Sequence, residues 1–264
     1  MRKVLAMAAG LVLATEAARG QEALPVDVEL VLAVDVSGSM DTDERELQRQ
    51  GYVQALTSRS VLDAIRSGPY RRVAIAYVEW AGANAQHVVA PWRVVEDEAS
   101  AMALAAEIAA APSPRIRGTS ISGALAFSLG LFGESGFVGE RRVIDISGDG
   151  PNNMGAPVVP TRDAVLAEGV IINGLPIMLK QAGGPWSIDE LDVYYEDCVI
   201  GGPGAFVLPV REPERMAEAI RQKLVLEIAH RPAKGAEVIP VQARAPRVDC
   251  MIGERLRGTW MRDP

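Results

Sequence analysis

Apolar residues in this chain come in short runs separated by polar turns, and their spacing switches repeatedly between strand and helix periods. Val28 to Val34 is a near-continuous apolar run broken only by Glu29, the pattern of a strand buried on both faces. It ends in Asp35-Val36-Ser37-Gly38-Ser39. Asp41 and Glu44 then form a D-x-x-E capping box, which predicts one long helix to about Arg66, with Leu47, Val53, Leu56, Leu62 and Ile65 in loose helical spacing. Gly68-Pro69 stops it. Arg72 to Trp80 reads as a second strand, with Val73, Ile75 and Tyr77 on one face. Gly82 to Asn84 turn the chain into Gln86 to Val95, a third strand that pairs as an antiparallel hairpin.

The alternation continues. Asp97 to Ala110 is alanine-rich and helical, and Ala111-Pro112-Ser113-Pro114 breaks it. Thr119 or Ser120 caps another helix, with Ile121, Ala124, Leu125, Ser128 and Phe132 on one face. Arg141 to Ser147 is the fourth strand, Thr161 to Glu168 a short helix, Gly169 to Leu175 the fifth strand and Ala205 to Val210 the sixth. The last helix runs from about Glu212 to His230, with Pro213 at its start and Met216, Ile220, Leu224 and Ile228 spaced by four. Strands alternating with helices imply an α/β fold, a mostly parallel sheet covered on both faces. Residues 176–204 form a long connection with an acidic helical stretch from Asp189 to Asp197, and residues 231–264 read as a weakly patterned tail.

Composition changes this picture in three places. Residues 1–20 have a basic start at Arg2 and Lys3, an apolar stretch from Val4 to Ala14 and a small-x-small site at Ala18-Arg19-Gly20. That is the pattern of a cleavable signal peptide, cut before Gln21, and it implies a periplasmic or secreted protein. The apolar stretch is shorter than the roughly 20 residues a membrane helix needs, so no integral span remains after its removal. Removing residues 1–20 moves the net charge from −7 to −9, because three bases and one acid leave. An acidic body argues against nucleic acid or an anionic membrane as partner. Cys198 and Cys250, with 51 residues between them, are an even pair that an oxidising compartment would join, stabilising the fold by about 4 kcal/mol. Two buried thiols are the other reading.

In an open α/β sheet, ligands bind beyond the carboxyl ends of the strands where strand order reverses. Three polar segments fall at such ends or in the adjoining loops: Asp35-Val36-Ser37-Gly38-Ser39 after strand one, Gly118-Thr119-Ser120 in the loop entering a helix, and Gly148-Asp149-Gly150 after strand four. Taken singly, each also reads as turn and cap chemistry. Together they offer two carboxylates and several hydroxyls, the hard oxygens that suit Mg²⁺.

Asp-x-Ser-x-Ser, a threonine about eighty residues on and an Asp-Gly after the next core strand resemble a von Willebrand factor A (VWA) domain with its metal-ion-dependent adhesion site. The resemblance covers residues 25–230. Tyr194-Tyr195-Glu196-Asp197-Cys198 and Gly201-Gly202-Pro203-Gly204-Ala205-Phe206 look like an exported bacterial branch of unknown function. The resemblance implies a three-layer, doubly wound, six-stranded sheet in the order 3-2-1-4-5-6 with strand 3 antiparallel. It implies that Asp35, Ser37, Ser39, Thr119 and Asp149 hold Mg²⁺, with Mn²⁺ or Ca²⁺ as substitutes, directly or through water. It also implies that the ion bridges to a carboxylate of a protein or peptide partner. Gly148 departs from the threonine many members carry there. Two carboxylates nearly neutralise a divalent ion and leave it a Lewis acid with a position open.

Two other readings stand beside this one. Gly148-Asp149-Gly150-Pro151-Asn152-Asn153 resembles the last motif of haloacid-dehalogenase-type phosphatases, with Asp35 as nucleophile; those need an aspartate at the position of Ser37 and a charge-balancing lysine, for which only Lys180 is near a strand end. A structural domain with a stabilising metal is the third reading. Trp186, Asp189 and Asp192 form a candidate partner rim, although the acidic stretch also reads as a solvated helix face. Asp145, inside strand four, reads as a hydrogen-bonded buried acid.

Overall fold

The computed structural model describes residues 23–112, 116–180, 187–229 and 245–260. Residues 1–20, the expected signal peptide, Trp186 and His230 lie outside those residues. The chain forms β1 (Leu24–Asp35), α1 (Thr42–Leu56), α2 (Arg59–Arg66), β2 (Val73–Trp80), β3 (Gln86–Val95), α3 (Glu98–Ala110) and α4 (Ile121–Phe132). It continues through β4 (Phe137–Gly148), α5 (Val158–Ala167), β5 (Val170–Pro176), α6 (Leu191–Tyr194) with a π turn (Tyr195–Val199), α7 (Met216–Ile228) and α8 (Ile252–Trp260). The sheet order is β3-β2-β1-β4-β5, with β3 antiparallel and the other pairings parallel.

β1 is buried on both faces, so its alternating residues feed two cores. Val28, Leu30, Leu32 and Val34 pack with Tyr52 and Leu56 of α1 and with Met216, Ile220 and Leu224 of α7. Val31 and Ala33 pack on the other face with Ile121 and Leu125 of α4, Val165 of α5 and Tyr194 and Tyr195. Buried between β4 and α7, Lys223 pairs with Asp145 at 2.8 Å and with Glu227, while Asn173 Nδ2 donates to Glu227 at 3.1 Å. Asp145 is therefore the paired buried acid that its place in a strand suggested.

Four expectations need correction. Among the described residues the sheet has five strands, not six. Phe206 to Val210 runs beside β5 but makes only two isolated bridges, Gly174↔Val207 and Ile177↔Val210. Gly174 N–H donates to Phe206 and Leu208 N–H to Gly174, both at 3.0 Å, and Val210 N–H donates to Pro176 at 2.9 Å. The bond that would join the bridges needs an N–H on Pro176, and proline has none. The single helix expected from Asp41 to Arg66 is two helices, because the Ser58 hydroxyl accepts from Val61 N–H and restarts the chain as α2. The acidic stretch is only a short α6 followed by the π turn. The tail contains α8, which docks on the body; Ile252, Leu256 and Trp260 are spaced by four, a stripe of three residues too short to mark a helix by itself.

Candidate functional site

β1 and β4 are parallel neighbours, and the chain leaves them in opposite directions, toward β2 on one side and β5 on the other. Their loops diverge and open a crevice at the carboxyl ends. Asp35 is the last residue of β1, and Asp149 follows the last residue of β4. The two carboxylates meet there because the strands pair in register, from Val28↔Arg141 to Val34↔Ser147.

Asp35 is fully buried, and its Oδ1 accepts from the Ser37 N–H at 2.6 Å, which folds the loop back over the strand end. Gln48 of α1 donates to the Asp35 carbonyl at 3.0 Å and pins the same turn from the other side. The Ser37 and Ser39 hydroxyls share a hydrogen bond at 2.8 Å, and Ser39 Oγ donates to Asp149 Oδ1 at 2.6 Å. Asp35, Ser37, Ser39 and Asp149 thus form one chain of hydrogen bonds. Thr119 is buried on the adjoining loop, which bridges Ser37 through Ile116. Its N–H donates to Asn153 Oδ1 at 3.0 Å, and its carbonyl accepts from Asn153 N–H at 2.9 Å and Met154 N–H at 3.2 Å. Ser120, rather than Thr119, caps α4 by accepting from Gly123 N–H at 3.1 Å.

Burial raises Asp35 well above the usual carboxylate range, and the neighbouring Asp149 charge raises it further. Burial also pushes Asp149 up to about 6, against the lowering effects of the Ser39 hydroxyl and the Lys180 ammonium. Both shifts mean that negative charge is crowded into a poorly solvated space. Lys180 Nζ donates to the Ser39 carbonyl at 2.7 Å and is paired with Glu44.

Among the described residues, no group of three or more His, Cys, Asp or Glu side chains gathers into a metal cluster. A cation at this place would rely on hydroxyls beside two carboxylates. That donor set fits a hard divalent ion, and the buried Asp35 Oδ2, which has no hydrogen-bond partner, is a lone pair left for it.

Several supporting residues were not legible in the motif. Asn152 Oδ1 accepts from Ser122 N–H at 3.0 Å, while its Nδ2 donates to Glu254 of α8 at 2.7 Å. Arg257 of α8 donates to the Asn153 carbonyl at 3.2 Å. The two asparagines therefore join the C-terminal helix to the loop carrying Thr119. Their signal in the sequence was only that they follow Asp149 in a Gly-Pro-rich run. Cys198 and Cys250 form a disulfide with Cα atoms 5.5 Å apart, and Arg247 pairs with Glu196 and Asp197 beside it. Of the rim candidates, Asp189 is exposed before α6 and Asp192 pairs with Arg211 at 2.7 Å.

No curated protein matches the chain. Solved structures share its fold at low identity. Proximal thread matrix protein 1 from the mussel byssus is 16% identical with a TM-score of 0.57, over 77% of this chain and 49% of that one. A structure of the same protein has a zinc-occupied MIDAS motif, at 14% identity and a TM-score of 0.55, over 78% of this chain and 49% of that one. A von Willebrand factor type A protein from Catenulispora acidiphila is 17% identical with a TM-score of 0.53, over 77% and 43%. The chain thus spans about half or less of the length of these proteins. The family described as "Protein of unknown function (DUF1194)" matches residues 25–232. On that match, over a mostly parallel, VWA-like α/β fold, the chain belongs to the DUF1194 family.

Proposed function

We propose that this chain is an exported, VWA-type binding module. In this reading Asp35, Ser37, Ser39, Thr119 and Asp149 hold a divalent cation, and the cation captures a carboxylate of a protein or peptide partner. Mg²⁺ is the expected ion, with Mn²⁺ or Ca²⁺ as substitutes. The observation that carries the reading is the meeting of fully buried Asp35 with Asp149, whose charge raises the proton affinity of Asp35, the two linked through Ser37 and Ser39 and with Asp35 Oδ2 unpartnered. Such a pair is relieved by a cation. The neutral hydroxyls leave the ion enough residual charge to attract an acidic group. The mussel and Catenulispora folds, and the disulfide typical of an oxidising compartment, support the setting.

The phosphatase reading draws on Lys180, which does lie beside the site. Its ammonium is paired with Glu44, and Ser37 stands where that chemistry needs an acid. The test is affinity capture from periplasmic extract by wild type and Asp35→Ala, with and without chelator. Capture lost in both treatments supports the reading. Capture that survives both sinks it. Turnover of phosphoesters with Mg²⁺, abolished in the same variant, would favour the enzyme. A melting temperature that follows the metal while capture ignores it would favour a structural ion.

A further inference from the structure

Two buried polar atoms face the space beside Gly148 without a hydrogen-bond partner: Asp35 Oδ2 and the Tyr195 hydroxyl. A Cβ on residue 148 would sit 2.9 Å from Asp35 Oδ2 and 3.0 Å from the Tyr195 oxygen. Glycine is therefore what lets both atoms border one small volume.

Tyr195 is held there firmly. It opens the π turn that Cys198 ties to Cys250, and its ring packs on the backbone of β5, where a Cβ on Gly174 would meet Cδ1 at 2.7 Å. A π turn is a rare departure from helical geometry that often marks a functional position. Here it turns a phenol inward at the end of β4. A buried hydroxyl without a partner calls for an explanation, and two beside each other call for a shared one.

We infer that Tyr195 is a positioning residue of the cation site: through one bridging water, its hydroxyl donates to Asp35 Oδ2 and fixes the carboxylate that faces the ion. This rests on the cation reading above. A hydroxyl donor favours the charged carboxylate, the form that binds a metal.

The experiment is a calorimetric Mg²⁺ titration of the full chain and of Tyr195→Phe, with melts in chelator. Tyr195→Phe should bind Mg²⁺ about 10- to 100-fold more weakly, the range for loss of an orienting group around a metal. Its melt in chelator should stay cooperative, since the ring and its packing on β5 remain. Wild-type affinity in Tyr195→Phe overturns the role of Tyr195 and leaves the cation reading standing. A wild-type chain that binds neither Mg²⁺ nor Mn²⁺ overturns both. If Tyr195→Phe does not fold, Gly148→Ala fills the gap with the tyrosine intact; it should weaken Mg²⁺ binding, and undiminished affinity overturns the inference.

Discussion

The Ser39 hydroxyl donates to Asp149 Oδ1 at 2.6 Å, although the two residues lie 110 positions apart. One bond thereby joins the loop after β1 to the loop after β4. It places an exposed hydroxyl at the mouth of a site whose deepest carboxylate, Asp35, is fully buried. An approaching ligand would meet Ser39 and Asp149 first, and charge on either aspartate is felt by the other.

That coupling predicts the behaviour of Asp35→Asn. Folding raises the Asp35 pKa, so its contribution to stability is present below the unfolded pKa and lost as pH rises through the folded one. Ionising the group without a cation is therefore a net cost to the fold. Asp35→Asn should melt higher than wild type in chelator at neutral pH. It should also lack the upward shift in melting temperature that the proposed site would give wild type in Mg²⁺. Melting curves with and without chelator check both. A lower melting temperature in chelator would contradict the repulsion.

The buried triad gives a pH dependence away from the site. Burial would lower Lys223, but the charges of Asp145 and Glu227 outweigh it and raise the ammonium. One base cannot balance two buried acids. Burial, then the Asp145 charge, pushes Glu227 up to about 7 from 4.5. The stability this group contributes is full below about pH 4.5 and is lost as pH rises through about 7. Glu227→Gln mimics the protonated form, so it should gain on wild type between pH 5 and 8 by on the order of 2–3 kcal/mol. Denaturant melts across that range measure the slope. A constant difference would place the surplus proton elsewhere.

α8 should act as a brace for the Thr119 loop. Gly253 packs against the Asn152 carbonyl so closely that a Cβ there would collide with it. Reducing Cys198–Cys250, or replacing both cysteines with serine, should lower stability by up to about 4 kcal/mol. Amide exchange should quicken at Ser122 and Thr119, whose N–H groups the two asparagines hold. Asn153→Ala should quicken Thr119 exchange alone and cost about 1–3 kcal/mol by stranding a buried donor. Unchanged exchange after reduction would show that α8 is a passenger.

Much of the fold was legible because strands buried on both faces read as apolar runs. Val28 to Val34 and Val73 to Trp80 left little ambiguity. The sixth strand looked as good in composition, but its ladder fails at a partner, Pro176, whose missing N–H matters only once β5 is beside it. The break in the first long helix turned on Ser58, a residue that can sit inside a helix or cap a new one. Packing decided between them.

The same division runs through the site. The sequence by itself determined which oxygens leave the ends of β1 and β4: Asp35, Ser37 and Ser39 in one loop and Asp149 in the other, with Thr119 set just before α4. Local pattern suffices for that, since it depends only on where each strand stops. The tertiary structure decided how close they come and what surrounds them. Parallel pairing of β1 with β4 set the two carboxylates together, and Gly148 left the space that Tyr195 enters. The disulfide-tied tail set α8 against Asn152 and Asn153. None of these has a signal in spacing, because burial, mutual repulsion and an unpartnered hydroxyl are properties of neighbours in space.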